Sequence, residues 1–289
     1  MPRSKLDLDD ARRVIAASLA EDVGAADFAK ADLKGGDVTS ATVIPADLRF
    51  KGVMAARHAM VVVGLPVAAE AFRMVAPEVR FFARAADGDR VAPGTVLAEI
   101  EGPARGLLTA ERTALNLLQL LSGIATLTAQ YAEAIKGTGC TLLDTRKTIP
   151  GLRRLSKYAT RCGGAKNHRM GLHDGVLIKD NHIAVCGGVA EAVRRAKVAG
   201  LPNVEVECDT LDQVHDAVEA GADIVLLDNM GPETLRQAVA LVAKRCKTEA
   251  SGGVTLETIR AIAETGVDFV SVGRITQSAP AADIGLDWS

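Results

Sequence analysis

The sequence predicts an α/β protein in which a small antiparallel sheet with a packed helix precedes a parallel α/β barrel. Short apolar strands recur after Gly139 and helical patterns separate most of them, which predicts a parallel sheet that is either open or closed into a barrel. Polar residues and glycines end many of these strands, and this favours the barrel, because a barrel brings such strand ends together at one site. The six strand candidates are TLLDT (141–145), VLIKD (176–180), VEVEC (204–208), IVLLD (224–228), TEASG (248–252) and FVSVG (269–273).

The elements before the barrel follow from local patterns, and we place this N-terminal domain at residues 1–120. An amphipathic helix is predicted over 7–21, where apolar residues recur at helical spacing, and a polar linker follows. Apolar runs at 51–56, 60–64 and 95–102, separated by turn signals, predict an antiparallel sheet with a helix over 67–76 packed on it. A long helix over 109–135, capped by Thr109, leads into the barrel domain at 121–277, and the tail 278–289 is expected to pack back on the first domain.

Composition excludes several classes of function. The 289 residues carry a formal net charge of −2, which argues against a general nucleic-acid-binding protein. The N-terminus lacks the apolar core of a signal peptide, and no apolar run approaches the ~20 residues that span a bilayer, so we expect no membrane partner. The five cysteines are widely spaced and form no C-x-x-C pair, which argues against a disulfide framework or structural zinc and favours the cytoplasm.

The basic character of the chain is concentrated in one stretch, TRKTIPGLRRLSKYATRCGGAKNHRMG (145–171), which contains eight Lys or Arg residues and no Asp or Glu. In a slightly acidic chain this concentration needs a local explanation. Part of it has an ordinary interpretation, because Arg154 and Lys157 are candidates for a solvated helix face. Lys147 and Lys179 lie at strand ends and are harder to explain as solvated residues, since Lys is seldom buried without a partner.

The ends of the predicted strands form a ring of polar groups. Two carboxylates, Glu207 and Asp228, stand among several cations, a combination that suits an anionic substrate with a divalent metal; magnesium joins one or two carboxylates to phosphate oxygens. Glu205 and Glu207 share one face of their strand, and one of them could simply pair with a nearby cation. The glycines after the last two strands suit a phosphate, although glycine doublets also just terminate strands. The ring consists of Arg146, Lys147, His168, Arg169, Lys179, Glu207, Asp228, Ser251, Gly252, Gly253 and Gly273.

Seven motifs of the chain resemble those of the quinolinate phosphoribosyltransferase family, in order and spacing over nearly the whole length. The resemblance implies an N-terminal open-faced α/β sandwich and a six- or seven-stranded α/β barrel. It also implies the activity: phosphoribosyl transfer from phosphoribosyl pyrophosphate to quinolinate with decarboxylation, which gives nicotinate mononucleotide, CO₂ and pyrophosphate in NAD synthesis. The motifs are ERTALNLLQLLSGIAT, LLDTRKTIPGLR, KYATRCGGAKNHRMGLHDGVLIKDNHI, VEVECDTLDQ, GADIVLLDNM, EASGGV and VDFVSVG.

Residue roles also follow from the resemblance. The residues implied to bind quinolinate are Arg112, Arg146, Lys147, His168, Arg169 and Lys179. Those implied to bind phosphoribosyl pyrophosphate are Glu207, Asp228, Ser251, Gly252, Gly253 and Gly273, with Glu207 and Asp228 holding Mg²⁺. The catalytic residues are expected to be Lys147, Lys179, Glu207 and Asp228. The family is usually a homodimer or a higher even oligomer, and the neighbouring subunit provides the residue that Arg112 matches.

Three other functions remain open at this level. A related phosphoribosyltransferase for another aromatic acid, such as nicotinate, is the nearest, although the TRK, NHR and IKDNH motifs favour quinolinate. A Schiff-base lyase with Lys147 or Lys179 as the amine would need a mostly apolar pocket, and these lysines stand among other cations. A biotinyl- or lipoyl-type carrier module would explain ADGDRVAPGTVLAEIEGPA, but that segment has no lysine at its turn.

Overall fold

The computed structural model describes residues 6–33 and 35–288, which form two compact units. Unit 1 comprises the chain up to Thr128, Ile149–Gly163 and the chain from Ser278 onward, and unit 2 comprises Ala129–Thr148 and Gly164–Gln277. The chain passes from unit 1 to unit 2 within one long helix, so the boundary has no linker sequence to mark it.

Unit 1 contains five helices and a 3-10 turn among its described residues. The first helix begins one residue later than predicted, because Asp7 caps it by accepting a hydrogen bond from the Asp10 amide at 3.1 Å. The helices are α1 (Leu8–Asp22), α2 (Val38–Val43), α3 (Leu65–Val75), α4 (Ala104–Ala134, which ends in unit 2) and α5 (Arg153–Gly163), with the 3-10 turn at Phe28–Lys30. The linker that the sequence left undefined therefore forms the 3-10 turn and α2.

Two expectations for these helices were wrong. The long helix begins at Ala104, directly after Pro103, so Thr109 lies inside it and donates to the Arg105 carbonyl at 2.9 Å rather than capping it. The interpretation of Lys157 as part of a solvated face also fails, since its side chain is fully buried on α5. Arg154 is exposed and pairs with Asp7 at 2.6 Å, as a solvated residue would.

The strands of unit 1 form an antiparallel sheet in the order β12-β1-β5-β3, with β2 and β4 paired separately. Strand β12 comes from the tail and pairs with β1, with Met54 opposite Leu286. The predicted antiparallel sheet is confirmed for the runs 51–56 and 95–102, whereas the run 60–64 provides β2, which lies outside this sheet. The strands are β1 (Arg49–Ala56), β2 (Met60–Val61), β3 (Arg80–Ala83), β4 (Arg90–Val91), β5 (Val96–Pro103) and β12 (Ile284–Trp288).

Unit 2 contains six parallel strands, which confirms the α/β class. Their order is β6-β11-β10-β9-β8-β7, and a parallel bridge between Leu143 and Lys166 adds a further pairing beside β6. Every candidate strand after Gly139 appears; three of them are two residues shorter at the carboxyl end, and one begins and ends one residue earlier than predicted. The strands are β6 (Thr141–Leu143), β7 (Val176–Ile178), β8 (Val204–Cys208), β9 (Ile224–Asp228), β10 (Lys247–Ser251) and β11 (Phe269–Ser271).

Helices connect the strands of unit 2, as parallel neighbours require. Their buried faces are built from aliphatic side chains, for example Val214, Ala217 and Val218 on α8. None of the helices in the described residues is long and apolar enough to cross a membrane. The helices are α6 (Asp180–Cys186), α7 (Val189–Val198), α8 (Leu211–Glu219), α9 (Pro232–Val242), α10 (Ile259–Ala263) and α11 (Arg274–Gln277).

Candidate active site

The carboxyl ends of all six parallel strands bear the polar residues predicted from the sequence. Arg146 and Lys147 follow β6, Lys179 follows β7, Glu207 is the penultimate residue of β8 and Asp228 ends β9. The remaining two strands lead to glycines: Ser251 ends β10 before Gly252 and Gly253, and Gly273 lies just after β11. Because the strands are parallel, these residues lie at one end of the sheet.

The strand register places the buried acidic residues on one face of the sheet. Leu226 is opposite both Glu207 on β8 and Glu249 on β10, so these three residues form one row across neighbouring strands. Glu205 and Asp228 lie two residues from members of that row and therefore point to the same side. The sequence pattern assigns no role to Glu205, and Glu249 is not among the predicted site residues.

The loop that contains His168 is held by Asp144, which is fully buried after β6. Asp144 accepts hydrogen bonds from the Asn167 side-chain amide at 2.5 Å and from the His168 backbone amide at 2.9 Å. The backbone amide of Arg169 then donates to His168 Nδ1 at 2.8 Å. Asp144 is a second residue that was not predicted from the sequence. Its position as an acidic residue at the end of a strand, just before the TRK motif, was the available signal.

Arg169 lies close to Arg146, so that two guanidinium groups share one region. Burial and the positive charge of Arg146 lower the pKa of Arg169, while Glu205 and Asp174 oppose that shift. Arg169 Nη1 donates to the Gly175 carbonyl at 3.1 Å. Its Nε is buried and finds no hydrogen-bond partner among residues 6–33 and 35–288. A buried, unsatisfied cationic donor is costly, and a bound anion would satisfy it.

Lys179 forms an ion pair with Glu207, joining the ends of β7 and β8. The Glu207 side chain is 10% exposed and that of Lys179 is 47% exposed, so solvent reaches the lysine end of the pair. The expectation that a lysine at a strand end needs a partner is therefore met for Lys179. The resemblance implies that Lys179 binds quinolinate and Glu207 binds phosphoribosyl pyrophosphate, whereas the structure shows their side chains in contact with each other.

Lys147 lies against the glycine that follows β11. A Cβ atom built on Gly273 would lie 2.9 Å from Lys147 Cδ, so the aliphatic part of the lysine passes over the glycine. Thr276 Oγ1 on α11 donates to the Lys147 carbonyl at 2.6 Å. The backbone at Lys147 is thereby fixed by the segment after β11, while its side chain remains exposed.

The turn after β10 approaches Asp228 closely. Gly252 has φ +91°, and a Cβ atom at this position would lie 2.1 Å from Asn229 Oδ1. Asn229 Nδ2 donates to Asp228 Oδ2 at 2.5 Å, and the Asn229 amide donates to the Ser251 carbonyl at 2.9 Å. Gly253 has φ +60° and space around it. The glycine doublet therefore does more than end a strand, because Gly252 is required for the close approach to Asn229.

Arg112 stands apart from these residues in the chain. It lies on the part of α4 that belongs to unit 1, and its side chain is exposed. All the other predicted site residues belong to unit 2.

Comparison with known proteins identifies a family for both units. The family model described as quinolinate phosphoribosyl transferase, N-terminal domain, matches residues 37–122, and the one for the C-terminal domain matches residues 124–287. Proteins named nicotinate-nucleotide pyrophosphorylase [carboxylating] from Mycobacterium leprae and, as a probable one, from Bacillus subtilis are 41% and 42% identical. These alignments cover 98% of this chain and 99% of the Mycobacterium protein, and 89% of both chains for the Bacillus protein.

A solved structure shows the same fold throughout. The nicotinate-nucleotide pyrophosphorylase from Francisella tularensis matches with a TM-score of 0.90 and 39% sequence identity. The match covers 99% of this chain and 98% of that one. The resemblance found in the sequence motifs is therefore confirmed by family models, relatives and fold.

Proposed function

The chain belongs to the quinolinate phosphoribosyltransferase family, and from this membership and its site we propose that it converts quinolinate and phosphoribosyl pyrophosphate to nicotinate mononucleotide, CO₂ and pyrophosphate. This is a pentosyl transfer in NAD synthesis. The observation that supports it best within the molecule is Arg169, a half-buried arginine beside Arg146 whose buried Nε lacks a partner among the described residues. Two adjacent guanidinium groups suit a ligand with two carboxylates.

The quinolinate site consists of the cations around the β6 and β7 strand ends. Arg146 and Arg169 provide planar donors for the carboxylates, and Lys147 and Lys179 add charges on flexible side chains. His168 lies in the same loop as Arg169. Arg112 completes the site from the neighbouring subunit of a homodimer or larger even oligomer; its exposure on α4 is consistent with that role.

The site for phosphoribosyl pyrophosphate is formed by the ends of β8 to β11. Glu207 and Asp228 face the ribose and pyrophosphate, and the loops of Ser251, Gly252, Gly253 and Gly273 receive the 5′-phosphate through backbone amides. Glycine suits this role because it lets a phosphate approach the backbone without obstruction. The contact of Lys147 with Gly273 supports a role for this cation next to both ligands.

The donor set fits magnesium. Glu207 and Asp228 offer carboxylate oxygens from neighbouring strands on one face of the sheet, and hard oxygen donors are what Mg²⁺ prefers. When bound with phosphoribosyl pyrophosphate, Mg²⁺ supplies positive charge that favours departure of pyrophosphate.

The reaction needs positioning and charge rather than a protein nucleophile. The pyridine nitrogen of quinolinate attacks C1 of the ribose as pyrophosphate leaves, and holding the two anions in line lowers the barrier. Lys147 and the other cations stabilise the charge on the departing group. The resulting pyridinium accepts the electron pair of the bond between C2 and the carboxylate carbon when the 2-carboxylate leaves as CO₂. C2 then takes up a proton.

We place the protein in the cytoplasm. The support is the five free cysteines, which suit a reducing compartment. Fractionation of cells producing the protein tests this placement, and recovery in an oxidising compartment would contradict it.

The direct test is formation of nicotinate mononucleotide from quinolinate, phosphoribosyl pyrophosphate and Mg²⁺. The wild type should form it, and Arg169→Ala should lower kcat/KM for quinolinate at least about a hundredfold, because an anion contact at a desolvated arginine is lost. The matched control is Arg154→Ala, which removes an exposed arginine paired with Asp7 outside the predicted site. No product from the wild type, or equal effects of the two substitutions, would contradict the proposal.

A further inference from the structure

Both ring nitrogens of His168 are already engaged by the protein. The Arg169 amide donates to Nδ1 at 2.8 Å. Nε2 lies 3.0 Å from Glu205 Oε2 and 3.7 Å from Glu249 Oε2. A histidine expected to offer a cation to quinolinate is instead directed at two buried acidic groups.

The hydrogen bond to Nδ1 fixes the tautomer of this histidine. A backbone amide can only donate, so Nδ1 must present its lone pair and the ring proton must be on Nε2. Nε2–H then donates to Glu205 Oε2, at an ordinary hydrogen-bond distance. Protonating Nδ1 as well would set an N–H group against the Arg169 N–H, so the geometry corresponds to a neutral ring.

The same tautomer argues against a metal in this cluster. His168, Glu205 and Glu249 each bring one possible ligand atom within 4.8 Å of the others. A histidine ligand binds metal through an unprotonated nitrogen and donates from the other one. Here the nitrogen that faces the carboxyl groups holds the proton, so it acts as a donor and not as a ligand.

The two acidic side chains are among the most buried in unit 2. The Glu205 and Glu249 side chains are 4% and 1% exposed, and the second oxygen of each, Oε1, has no hydrogen-bond partner among the described residues. Burial first, and then the neighbouring Glu205, raise the pKa of Glu249 above its usual range. The raised pKa favours the protonated form of Glu249, and Glu205 Oε2 is the acceptor for His168 Nε2–H.

We propose that Glu205 and Glu249 are positioning residues that hold His168 as the neutral Nε2–H tautomer, and that His168 in turn positions Arg169 instead of contacting quinolinate as a cation. The hydrogen bonds from Asn167 and His168 to Asp144 also hold this loop, and the ring adds a contact with Glu205 on β8. The role assigned to Arg169 rests on the proposed function, whereas the tautomer does not.

The tautomer is measured directly by long-range ¹H–¹⁵N correlation spectra of protein with ¹⁵N-labelled histidine rings at pH 7. His168 is assigned by the signals that disappear in His168→Asn, and His215, whose side chain is 57% exposed, is the internal control for a solvated ring. We expect a neutral ring protonated at Nε2 for His168. An imidazolium, or a ring protonated at Nδ1, overturns the proposal, and neither result depends on whether the protein is active.

The positioning role is measured with two uncharged substitutions of Glu205. Gln keeps an oxygen that can accept from Nε2–H, whereas Leu does not. We expect Glu205→Leu to raise KM for quinolinate by about tenfold, the loss of roughly one buried hydrogen bond, with KM for phosphoribosyl pyrophosphate changed less than about twofold. Glu205→Gln should remain within about threefold of the wild type, and His168 in it should keep its tautomer.

Equal KM values for quinolinate in the two Glu205 variants would overturn the positioning role, because then the acceptor does not matter. A parallel rise in both KM values would also overturn it, since that pattern reports general damage to the fold. If Glu205→Leu does not fold, Glu249→Gln replaces it. That variant keeps a neutral side chain of the same shape, so the His168 spectrum should be unchanged, and a change of tautomer would contradict the arrangement.

Discussion

Replacing Gly252 with alanine separates two physical requirements at the turn after β10. The left-handed backbone, with φ +91°, costs a residue with a Cβ atom about 1–2 kcal/mol. The new Cβ would also lie 2.1 Å from Asn229 Oδ1, so Asn229 must move. Its hydrogen bond to Asp228, at 2.5 Å, is then lost or weakened, which costs up to about 1.5–3 kcal/mol because the acceptor is charged.

Gly253→Ala is the matched control. Its φ of +60° imposes backbone strain as well, but its Cβ would have no atom within 4 Å. Both variants should therefore lose about 1–2 kcal/mol of unfolding free energy in urea, with a larger loss for Gly252→Ala. Only Gly252→Ala disturbs Asp228, so its kcat/KM for phosphoribosyl pyrophosphate should fall about tenfold further than that of Gly253→Ala. Equal kinetic effects of the two substitutions would refute the link between this turn and Asp228.

Three other expectations can be checked independently. Asp228→Asn and Glu207→Gln should each lower kcat at least about a hundredfold, and quinolinate binding alone, measured by calorimetry, should be unchanged in Asp228→Asn; wild-type rates would contradict their metal role. Burial raises the pKa of Glu249 from 4.5 to about 8, so the unfolding free energy of the wild type should fall as pH rises through that window. Glu249→Gln should remove this fall. If urea unfolding gives the same pH dependence for the wild type and the variant, the expectation is contradicted. Arg112→Ala and Lys147→Ala, each inactive alone, should regain activity after subunit exchange, because one site in each mixed dimer is then intact; no recovery would exclude a shared site.

Most strands of unit 2 could be predicted because they are short, largely apolar runs ended by polar residues; β10, with the sequence KTEAS, is an exception. VEVEC and IVLLD coincide with β8 and β9 residue for residue. Their polar ends converge because parallel strands place all carboxyl ends on one side, so the predicted ring of residues needs only the fold class. The start of α4 could not be predicted in the same way, since Thr109 looks like a cap and its role depends on where the preceding strand β5 ends.

Pairings between side chains were less predictable, because they depend on register. Nothing in VEVEC shows that Glu205 is directed at a histidine 37 positions earlier in the chain, or that Glu249 joins it from β10. The burial of Lys157 was missed for a related reason: a cation in a basic stretch resembles a solvated residue until the helix that contains it is packed. The positions of the strand ends could therefore be predicted from the sequence, whereas the contacts between side chains at those ends required the structure.

The central claim is that the cation cluster around the ends of β6 and β7 recognises two carboxylates. The most direct measurement is kcat/KM for quinolinate and for nicotinate under identical conditions. Nicotinate lacks the 2-carboxylate, so it would leave cations near Arg169 unpaired, and an unpaired buried charge costs several kcal/mol. We expect quinolinate to be preferred by about a hundredfold or more, at low and at moderate salt. Comparable kcat/KM values for the two acids would contradict the assignment of the cation cluster and of the substrate.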